Sequence, residues 1–192
     1  MGQTAVQPSY SLDDYLRAED AAPLRHEYVA GGVFAMAGGS ERHNQISGNV
    51  YMRLRAETRG SECRAFIADM KLRIDTASSV YYPDVMLVCD ADDAHPQFKT
   101  APCVIVEVLS PSTAATDRRE KRKAYFGLPS LQAYVLADSE SRSVEYFLRG
   151  PAGFDPGRLD ETSQLLLPCG ERRIGLTLDD VYEDVEGLSY PL

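Results

Sequence analysis

Apolar and polar positions follow one another along the chain in patterns that predict both helices and strands. Ser11 followed by Asp14 resembles a capping box, which predicts a short helix at residues 12–18. Segment 26–38 contains two apolar-rich runs joined at a Gly-Gly pair, and this pattern predicts a hairpin. A second helix, capped by Ser40, is predicted from an apolar stripe with a spacing of four residues: Ile46, Val50 and Leu54.

The middle of the chain is dominated by strand patterns. Polar or Pro-containing turns separate four apolar runs, at residues 63–68, 70–74, 81–89 and 103–109. The pattern then changes to that of a helix from Thr113 to Phe126, which ends at Gly127. This helix therefore follows directly after the strand at 103–109.

The C-terminal third predicts strands and one last helix. These elements are strands at 131–137, 143–149 and 165–167, a Gly- and Pro-rich loop at 150–157, and a capped helix at 177–185. The order helix, hairpin, helix, strands, helix, strands predicts an α/β fold with a mixed central sheet flanked by helices. A single domain is expected over residues 1–192, since no repeat or linker interrupts a length typical of one domain.

One carboxylate interrupts the apolar strand at 103–109. Glu107 has only apolar neighbours within this run: Val104, Ile105, Val106, Val108 and Leu109. Such a run is typical of a strand that is covered on both faces. Burying an ionised carboxylate there is costly unless a cation, a metal or hydrogen-bond donors meet it. Glu107 therefore predicts a partner, which is either a metal ion or an arginine such as Arg73.

Asp84 is the best candidate to share a metal ion with Glu107. It follows Pro83 at the head of an apolar run, so the two carboxylates are expected on neighbouring strands. Two converging carboxylates repel each other, and Mg²⁺ (or Mn²⁺) relieves this repulsion because one or two carboxylates commonly hold it. The alternative is that Asp84 is a turn residue that binds local backbone N–H groups.

The helix that follows Glu107 supplies a candidate cation. Asp117, Lys121 and Tyr125 are spaced by four residues, so they lie on one helical face. Lys121 is expected to reach back toward the carboxylates, where it would position a water or stabilise charge on a phosphate oxygen. In the alternative interpretation Lys121 lies on a solvated, charge-rich face. Tyr125 is expected to be a packed aromatic residue whose hydroxyl has a partner.

Together these motifs resemble the Uma family of restriction-endonuclease-like proteins, a branch of the PD-(D/E)XK nuclease superfamily. The stretches that carry the resemblance are "YYPDVMLV" and "VIVEVLSPST", followed by Asp117, Lys121 and Tyr125. The superfamily signature usually has a lysine two residues after the acid, where this chain has Leu109. The resemblance places that lysine on the next helix, as Lys121.

The resemblance implies a restriction-endonuclease-like fold and a Mg²⁺-dependent endonuclease that hydrolyses phosphodiester bonds in DNA. Asp84 and Glu107 would hold the metal, and Lys121 would assist the attacking water. Glu27, which matches the family's N-terminal hairpin, would be a further metal ligand or an exposed hairpin residue. His43 would line the site, or would be a histidine that lies on the helix surface or forms a hydrogen bond.

Two other functions are compatible with the same sequence. One is a catalytically silent DNA-binding or assembly module on the same fold, and the other is a phosphodiesterase that acts on another substrate. A homodimer would suit an enzyme that cuts two strands, and the apolar strand at 143–149 is expected to offer an edge for it.

Charge and hydropathy limit the partners further. A formal net charge of -9 argues against nonspecific attraction of DNA to the whole surface, although segment 117–123 has five basic residues against two acidic ones. No stretch approaches the roughly 20 apolar residues of a membrane span, and the N-terminus lacks the pattern of a signal peptide. A cytoplasmic protein is therefore expected.

The four cysteines are far apart in the sequence: Cys63, Cys89, Cys103 and Cys169. No two of them form the C-x-x-C pair that is typical of zinc knuckles and dithiol redox sites. The sequence therefore predicts reduced, separate cysteines that pack as small apolar residues.

Overall fold

A computed structural model describes residues 10–36, 38–111 and 117–189. Within these ranges the chain forms thirteen strands. They are β1 His26–Val29, β2 Gly32–Ala35, β3 Arg64–Ile67, β4 Lys71–Ile74, β5 Ser79–Tyr81, β6 Val85–Val88, β7 Phe98–Lys99, β8 Val104–Leu109, β9 Ala133–Asp138, β10 Val144–Gly150, β11 Gly153–Leu159, β12 Leu165–Cys169 and β13 Arg172–Leu176.

Four α-helices accompany the strands in the described ranges: α1 Leu12–Glu19, α2 Glu41–Glu57, α3 Arg122–Phe126 and α4 Leu178–Tyr182. A π-helical turn, Asp117–Lys121, leads into α3. The predicted caps are confirmed, because the Ser11 and Ser40 side chains accept backbone N–H groups at the starts of α1 and α2. Residues 113–116 of the predicted third helix lie outside the described residues.

The strands form two larger sheets and one hairpin. Five strands pair in the order β2-β1-β5-β4-β7, six pair in the order β11-β10-β9-β8-β6-β3, and β12 pairs with β13. The six-stranded sheet is mixed, since β8 and β9 are parallel while their other neighbours are antiparallel. A mixed α/β fold was predicted and is confirmed, although the sequence did not predict that β5 and β6 would belong to different sheets.

Strand β8 lies near the middle of the six-stranded sheet and is covered on both faces. Val104, Val106 and Val108 belong to one core, to which α2, α4 and the β12–β13 hairpin contribute. Ile105 and Leu109 belong to a second core, to which β4, β5 and α3 contribute. The two-sided burial predicted from the apolar run is therefore confirmed. Glu107 alternates with the valines, so it faces the second core.

The predicted loop at 150–157 is wrong. Most of that segment is β11, which pairs with the whole length of β10. β11 is the outermost strand, so Pro156 needs no N–H group for a further neighbour. Gly157 lies against the Tyr146 ring, where a Cβ would overlap the ring atoms. Because β11 covers β10, the expectation that strand 143–149 offers an edge for a homodimer is also wrong.

The hairpin between β1 and β2 turns at Ala30 and Gly31, whose φ angles are 47° and 95°. Positive φ at both positions suits a two-residue turn between twisted strands, which explains the glycine at the second position. The hairpin carries Glu27 into the interior, next to β5.

Among the helices of the described ranges, none combines the length and apolar character that crossing a bilayer requires.

The prediction of four separate, reduced cysteines is wrong. The structure joins Cys63 to Cys89 and Cys103 to Cys169, and no cysteine is free. The residues are distant in sequence, but the ends of β3, β6, β8 and β12 bring them together. Strand register created this cluster, and sequence spacing contains no signal for it.

Candidate active site

Glu107 is buried at the centre of a polar cluster, and only 2% of its surface is exposed. The Tyr125 hydroxyl donates a hydrogen bond to Glu107 Oε1 over 2.7 Å. The Lys121 ammonium lies 3.5 Å from the same oxygen. Glu107 therefore has the cation and the donor that its apolar surroundings require.

Asp84 lies immediately before β6 and beside Glu107. The antiparallel pairing of Val85 with Val106 places Asp84 opposite Glu107. The backbone N–H of Asp84 donates to Glu107 Oε2 over 3.5 Å, and the backbone N–H of Val108 donates to Asp84 Oδ2 over 2.7 Å. The two acids lie on neighbouring segments, as predicted. Asp84 does bind a backbone N–H group, but that group belongs to β8 and not to a local turn.

Lys121 joins the two sheets through an ionic contact. Its Nζ atom lies 2.9 Å from Glu27 Oε1 on β1 and 3.5 Å from Glu107 Oε1 on β8. The ammonium also lies over the Tyr81 ring, 5.7 Å from the centroid. Only 7% of the residue is exposed, so the alternative of a solvated helix face is wrong.

Glu27 and His43 both belong to this cluster. Besides its contact with Lys121, Glu27 Oε1 accepts the backbone N–H of Tyr82 over 3.5 Å, so Glu27 is not an exposed hairpin residue. His43 lies in the first turn of α2, and its Nε2 atom is 3.2 Å from Asp84 Oδ2. A position on the helix surface away from the site is therefore excluded for His43.

Tyr125 is a permanent hydrogen-bond donor to Glu107. Burial, and secondarily the negative charge of Glu107, raise the pKa of Tyr125 well above its ordinary value. The phenol therefore keeps its proton at neutral pH and can only donate toward the carboxylate. Its ring packs edge-on against Tyr81 and Tyr134, which fixes the direction of the hydroxyl.

Arg73 does not fulfil the alternative role of partner for Glu107. It pairs instead with Asp75, at 2.7 Å, and with Asp13, at 3.5 Å.

The basic side chains of segment 117–123 differ in their surroundings. Arg118 forms an ion pair with Glu145, while Arg119 and Lys123 are exposed. Exposed positive charge therefore lies next to the residue that reaches the acids.

The donor chemistry of the cluster suits a hard divalent cation. The cluster contains three carboxylates, Glu27, Asp84 and Glu107, and one ammonium group, Lys121, which contacts two of them. In the described ranges no three carboxylate or imidazole ligand atoms lie within 4.8 Å of one another. An ion at this site would therefore be held by one or two carboxylates, which is the usual number for protein-bound Mg²⁺.

Tyr125 is a packed aromatic residue whose hydroxyl has a partner, as predicted, but sequence reasoning did not identify that partner as Glu107. It also missed the aromatic ring under Lys121, which comes from Tyr81. The "YYPD" stretch and the spacing of four between Lys121 and Tyr125 were the available signals. Neither signal identifies a partner unless the packing of β5 against α3 is known.

A family model described as "Putative restriction endonuclease", Uma2, matches residues 12–176. That match covers all of the clustered side chains. The chain belongs to the Uma2 family. The resemblance inferred from the Asp84, Glu107 and Lys121 motifs is therefore confirmed at the level of the family.

Two proteins of Synechocystis sp. (strain ATCC 27184 / PCC 6803 / Kazusa) are similar to this chain, and both are described as uncharacterized. One, slr1290, is 37% identical over 151 residues, which cover 78% of this chain and 80% of that protein. The other, sll1609, is 34% identical over 137 residues, which cover 70% of this chain and 77% of that protein.

A crystal structure from Anabaena variabilis ATCC 29413 has a similar fold, with a TM-score of 0.70. It is described as a "putative nuclease belonging to DUF820". The similarity covers 90% of this chain and 97% of that chain at 15% sequence identity. At this identity the similarity shows the fold alone.

Proposed function

We propose that this protein is a Mg²⁺- or Mn²⁺-dependent endonuclease that hydrolyses phosphodiester bonds in DNA. The observation that carries the proposal is the convergence of Asp84, Glu107 and Lys121 in one polar cluster between two sheets. Membership of the Uma2 family and the fold shared with the Anabaena structure support the same class of activity.

Asp84 and Glu107 are the residues that would hold the ion, with Glu27 as a further ligand after rearrangement. Bound Mg²⁺ would supply Lewis-acid neutralisation of charge on the scissile phosphate. Val108 fixes Asp84 through its backbone N–H, and Tyr125 fixes Glu107 through its hydroxyl. These contacts hold both carboxylates in place before substrate arrives, which lowers the cost of ordering the site.

Lys121 would orient the attacking water and stabilise the charge that develops on the phosphate oxygens. Water adds to phosphorus as the P–O bond to one sugar breaks, which gives a phosphate monoester and a free hydroxyl. Glu27 and Glu107 hold the ammonium in place through ion-pair contacts of 2.9 and 3.5 Å. His43 would support Asp84 through its contact with Oδ2, the oxygen that also accepts the backbone N–H of Val108.

DNA is the proposed substrate even though the chain carries a formal net charge of -9. The exposed side chains of Arg119 and Lys123 flank Lys121 on the same segment. These two exposed cations, on the segment that carries Lys121, would bind the phosphate backbone, while the acidic remainder of the surface would limit nonspecific binding.

One observation favours a catalytically silent module as the second candidate. The Lys121 ammonium already contacts two of the three carboxylates, so part of their charge is neutralised without any ion. In such a protein the cluster would be a buried ion-pair network that fixes the two sheets. This candidate predicts neither binding of divalent cations nor cleavage.

Metal titration and cleavage assays separate the candidates. We expect the wild-type chain to bind Mn²⁺ in the sub-millimolar to millimolar range by calorimetry, and to cut plasmid DNA. Asp84→Asn and Glu107→Gln should abolish both, while Glu57→Gln, a change on the surface of α2, should preserve both. Binding by wild type without cleavage of plasmid or single-stranded DNA, but with cleavage of small phosphodiesters, would move the assignment to another substrate. Absence of binding would support the silent module.

A further inference from the structure

Four cysteine sulfurs lie together at the end of the six-stranded sheet opposite the acidic cluster. Cys63 directly precedes β3, Cys89 directly follows β6, and Cys103 directly precedes β8. These strands are adjacent and alternate in direction, so the three residues meet at one end. Cys169 joins them from the last position of β12, in the hairpin that packs on the sheet.

The sulfurs form one group and not two separate pairs. Cys89 Sγ lies 2.9 Å from Cys169 Sγ and 3.8 Å from Cys103 Sγ, although each of these contacts joins members of different disulfides. The sulfurs of Cys63, Cys89 and Cys169 all lie within 4.8 Å of one another. A tetrahedral site with Zn–S bonds of about 2.3 Å separates its sulfurs by about 3.8 Å. The four cysteines are therefore grouped on the scale of one thiolate-bound ion.

We propose that the reduced chain binds one Zn²⁺ ion through Cys63, Cys89, Cys103 and Cys169. Two dithiol reductant molecules would supply the four electrons and four protons that convert both disulfides to four thiols. Binding of the ion then releases those four protons as the thiols become thiolates. Zinc suits the site because soft thiolate ligands select it in proteins.

The surroundings favour a structural ion over a catalytic one. Cys63, Cys103 and Cys169 are each at most 7% exposed, and Cys89 is partly buried. With four protein ligands the ion has no open position for water or substrate, which is the arrangement of structural zinc sites. The close grouping favours a single ion over an iron–sulfur cluster, whose thiolates bind different iron atoms and stand farther apart.

The proposed ion would attach the β12–β13 hairpin to the central sheet. Three ligands come from the ends of sheet strands, and the fourth comes from the hairpin. Leu165 and Leu167 of the hairpin pack in the same core as Val104 and Val106. Loss of the ion should therefore loosen the hairpin before it affects the acidic cluster at the other end of β6 and β8.

Metal analysis of the full-length protein, purified anaerobically with a dithiol reductant, tests the proposal. We expect one zinc per chain, and after exchange we expect one Co²⁺ per chain with the visible absorption of tetrahedral cobalt thiolate. Less than about 0.2 zinc per chain, with four free thiols counted in the same sample, would overturn the proposal. Iron together with inorganic sulfide would overturn it equally.

A cysteine variant and a carboxylate variant separate the two metal sites. Cys169→Ser should weaken Co²⁺ binding by more than the 10–100-fold that changes around metal ligands typically cost, and should reduce the thiolate absorption. Asp84→Asn should keep the full absorption, since it changes only the opposite end of β6. Unchanged Co²⁺ affinity in Cys169→Ser would exclude that ligand and the four-thiolate site.

A measurement on the wild-type chain covers the case in which Cys169→Ser does not fold. Titration with an organomercurial reagent should release one zinc as four thiols react, and a zinc-sensitive dye can follow the release. Zinc release that is independent of thiol modification would overturn the assignment.

Discussion

Strands β6 and β8 carry oxygen donors at one end and sulfur donors at the other. Asp84 and Glu107 lie at the first end, and Cys89 and Cys103 lie at the second. Asp84 and Cys89 are five positions apart on one extended segment, or roughly 17 Å. At the oxygen end the carboxylates outnumber the nearby ammonium group, and the Asp84 side chain is 19% exposed. At the sulfur end the side chains are largely buried and close on one another.

This difference suggests that β6 and β8 support two different roles, one at each end of the strands. Hard oxygen ligands with incomplete charge compensation suit an exchangeable cation that meets substrate. Four closely grouped sulfurs suit a fixed cross-link, either as disulfides or as thiolates around an ion. If the two ends are not functionally distinct, substitutions and metal removal at either end should have the same effects.

After the loss of activity expected when Asp84 or Glu107 is changed, the largest effect is expected for Lys121→Met, at the oxygen end. Loss of the ammonium should lower the rate of plasmid cleavage by about 10²–10³-fold, because a preorganised charge at the phosphate would be missing. Quench-flow or gel assays at saturating Mg²⁺ measure the rate, and thermal melting shows whether the variant folds. Arg55→Met, at an exposed position in the second half of α2, is the control and should stay within about threefold of wild type. Equal rates in both variants would remove Lys121 from the chemistry.

Removing the metal ion from each end should have different effects on the melting temperature. Brief treatment with a chelator should stop cleavage, leave the melting temperature within about 2 °C, and be reversed by added Mg²⁺. Removal of zinc with an organomercurial reagent should lower the melting temperature by more than about 4 °C, the change expected when 1–2 kcal/mol is lost in a chain of this size. If brief chelation alone destabilises the protein to that extent, the ends are not separate.

Tyr125→Phe should have a smaller effect than these changes, and it should mainly lower the free energy of unfolding. The variant removes one hydrogen bond to a buried carboxylate, which is worth about 1.5–3 kcal/mol. Urea unfolding at pH 8 measures this loss, with Tyr10→Phe as the control because 45% of Tyr10 is exposed. A loss below about 0.5 kcal/mol would mean that the hydroxyl does not support Glu107.

The same variant has a predicted pH dependence. The pKa of Tyr125 is raised in the folded state, so the stability linked to its proton is fully present below the ordinary pKa of 10.0. That stability is lost as pH rises above 10 toward the raised pKa. Between pH 10 and 11 the stability of wild type should therefore fall more steeply than that of Tyr125→Phe. Parallel curves would contradict this.

The smallest effect is expected at the exposed basic segment. Arg119→Gln should reduce the slope of log affinity against log salt by about 1, since it removes one phosphate contact, and should leave the cleavage rate at saturating DNA unchanged. Fluorescence anisotropy at several salt concentrations measures the slope. Arg17→Gln, on the exposed surface of α1, should not change the slope. An unchanged slope for Arg119→Gln would place the DNA elsewhere.

Much of this molecule could be predicted from local patterns. Caps at Ser11 and Ser40, the stripe of Ile46, Val50 and Leu54, and the apolar run around Glu107 each depend on near neighbours in the chain. The carboxylate pair was predictable because a buried acid needs a partner. Lys121 was predictable because a spacing of four residues puts it on one face with Tyr125.

The errors arose where long-range pairing decides the outcome. Pro156 and Gly157 look like loop residues, but an outermost strand tolerates a proline, and the Tyr146 ring requires the glycine. The cysteine cluster depends on strand register, which sequence spacing does not reveal. Tyr81 and Glu27 reach the site only because β5 and β1 pair in a second sheet, and no local pattern predicts that pairing. The proposed single domain over residues 1–192 stays a prediction.

The π-helical turn at 117–121 determines the direction in which the Lys121 side chain leaves the helix. A π turn accommodates one more residue than an α turn, so the direction of Lys121 depends on the length of this segment as well as on its composition. Deleting one residue from 118–120 would rotate the following side chain by about 100° around the helix axis, away from Glu27 and Glu107. Insertions or deletions in this turn should therefore disturb the site more than substitutions at its exposed positions. The number of residues in the turn sets the direction in which the Lys121 ammonium points.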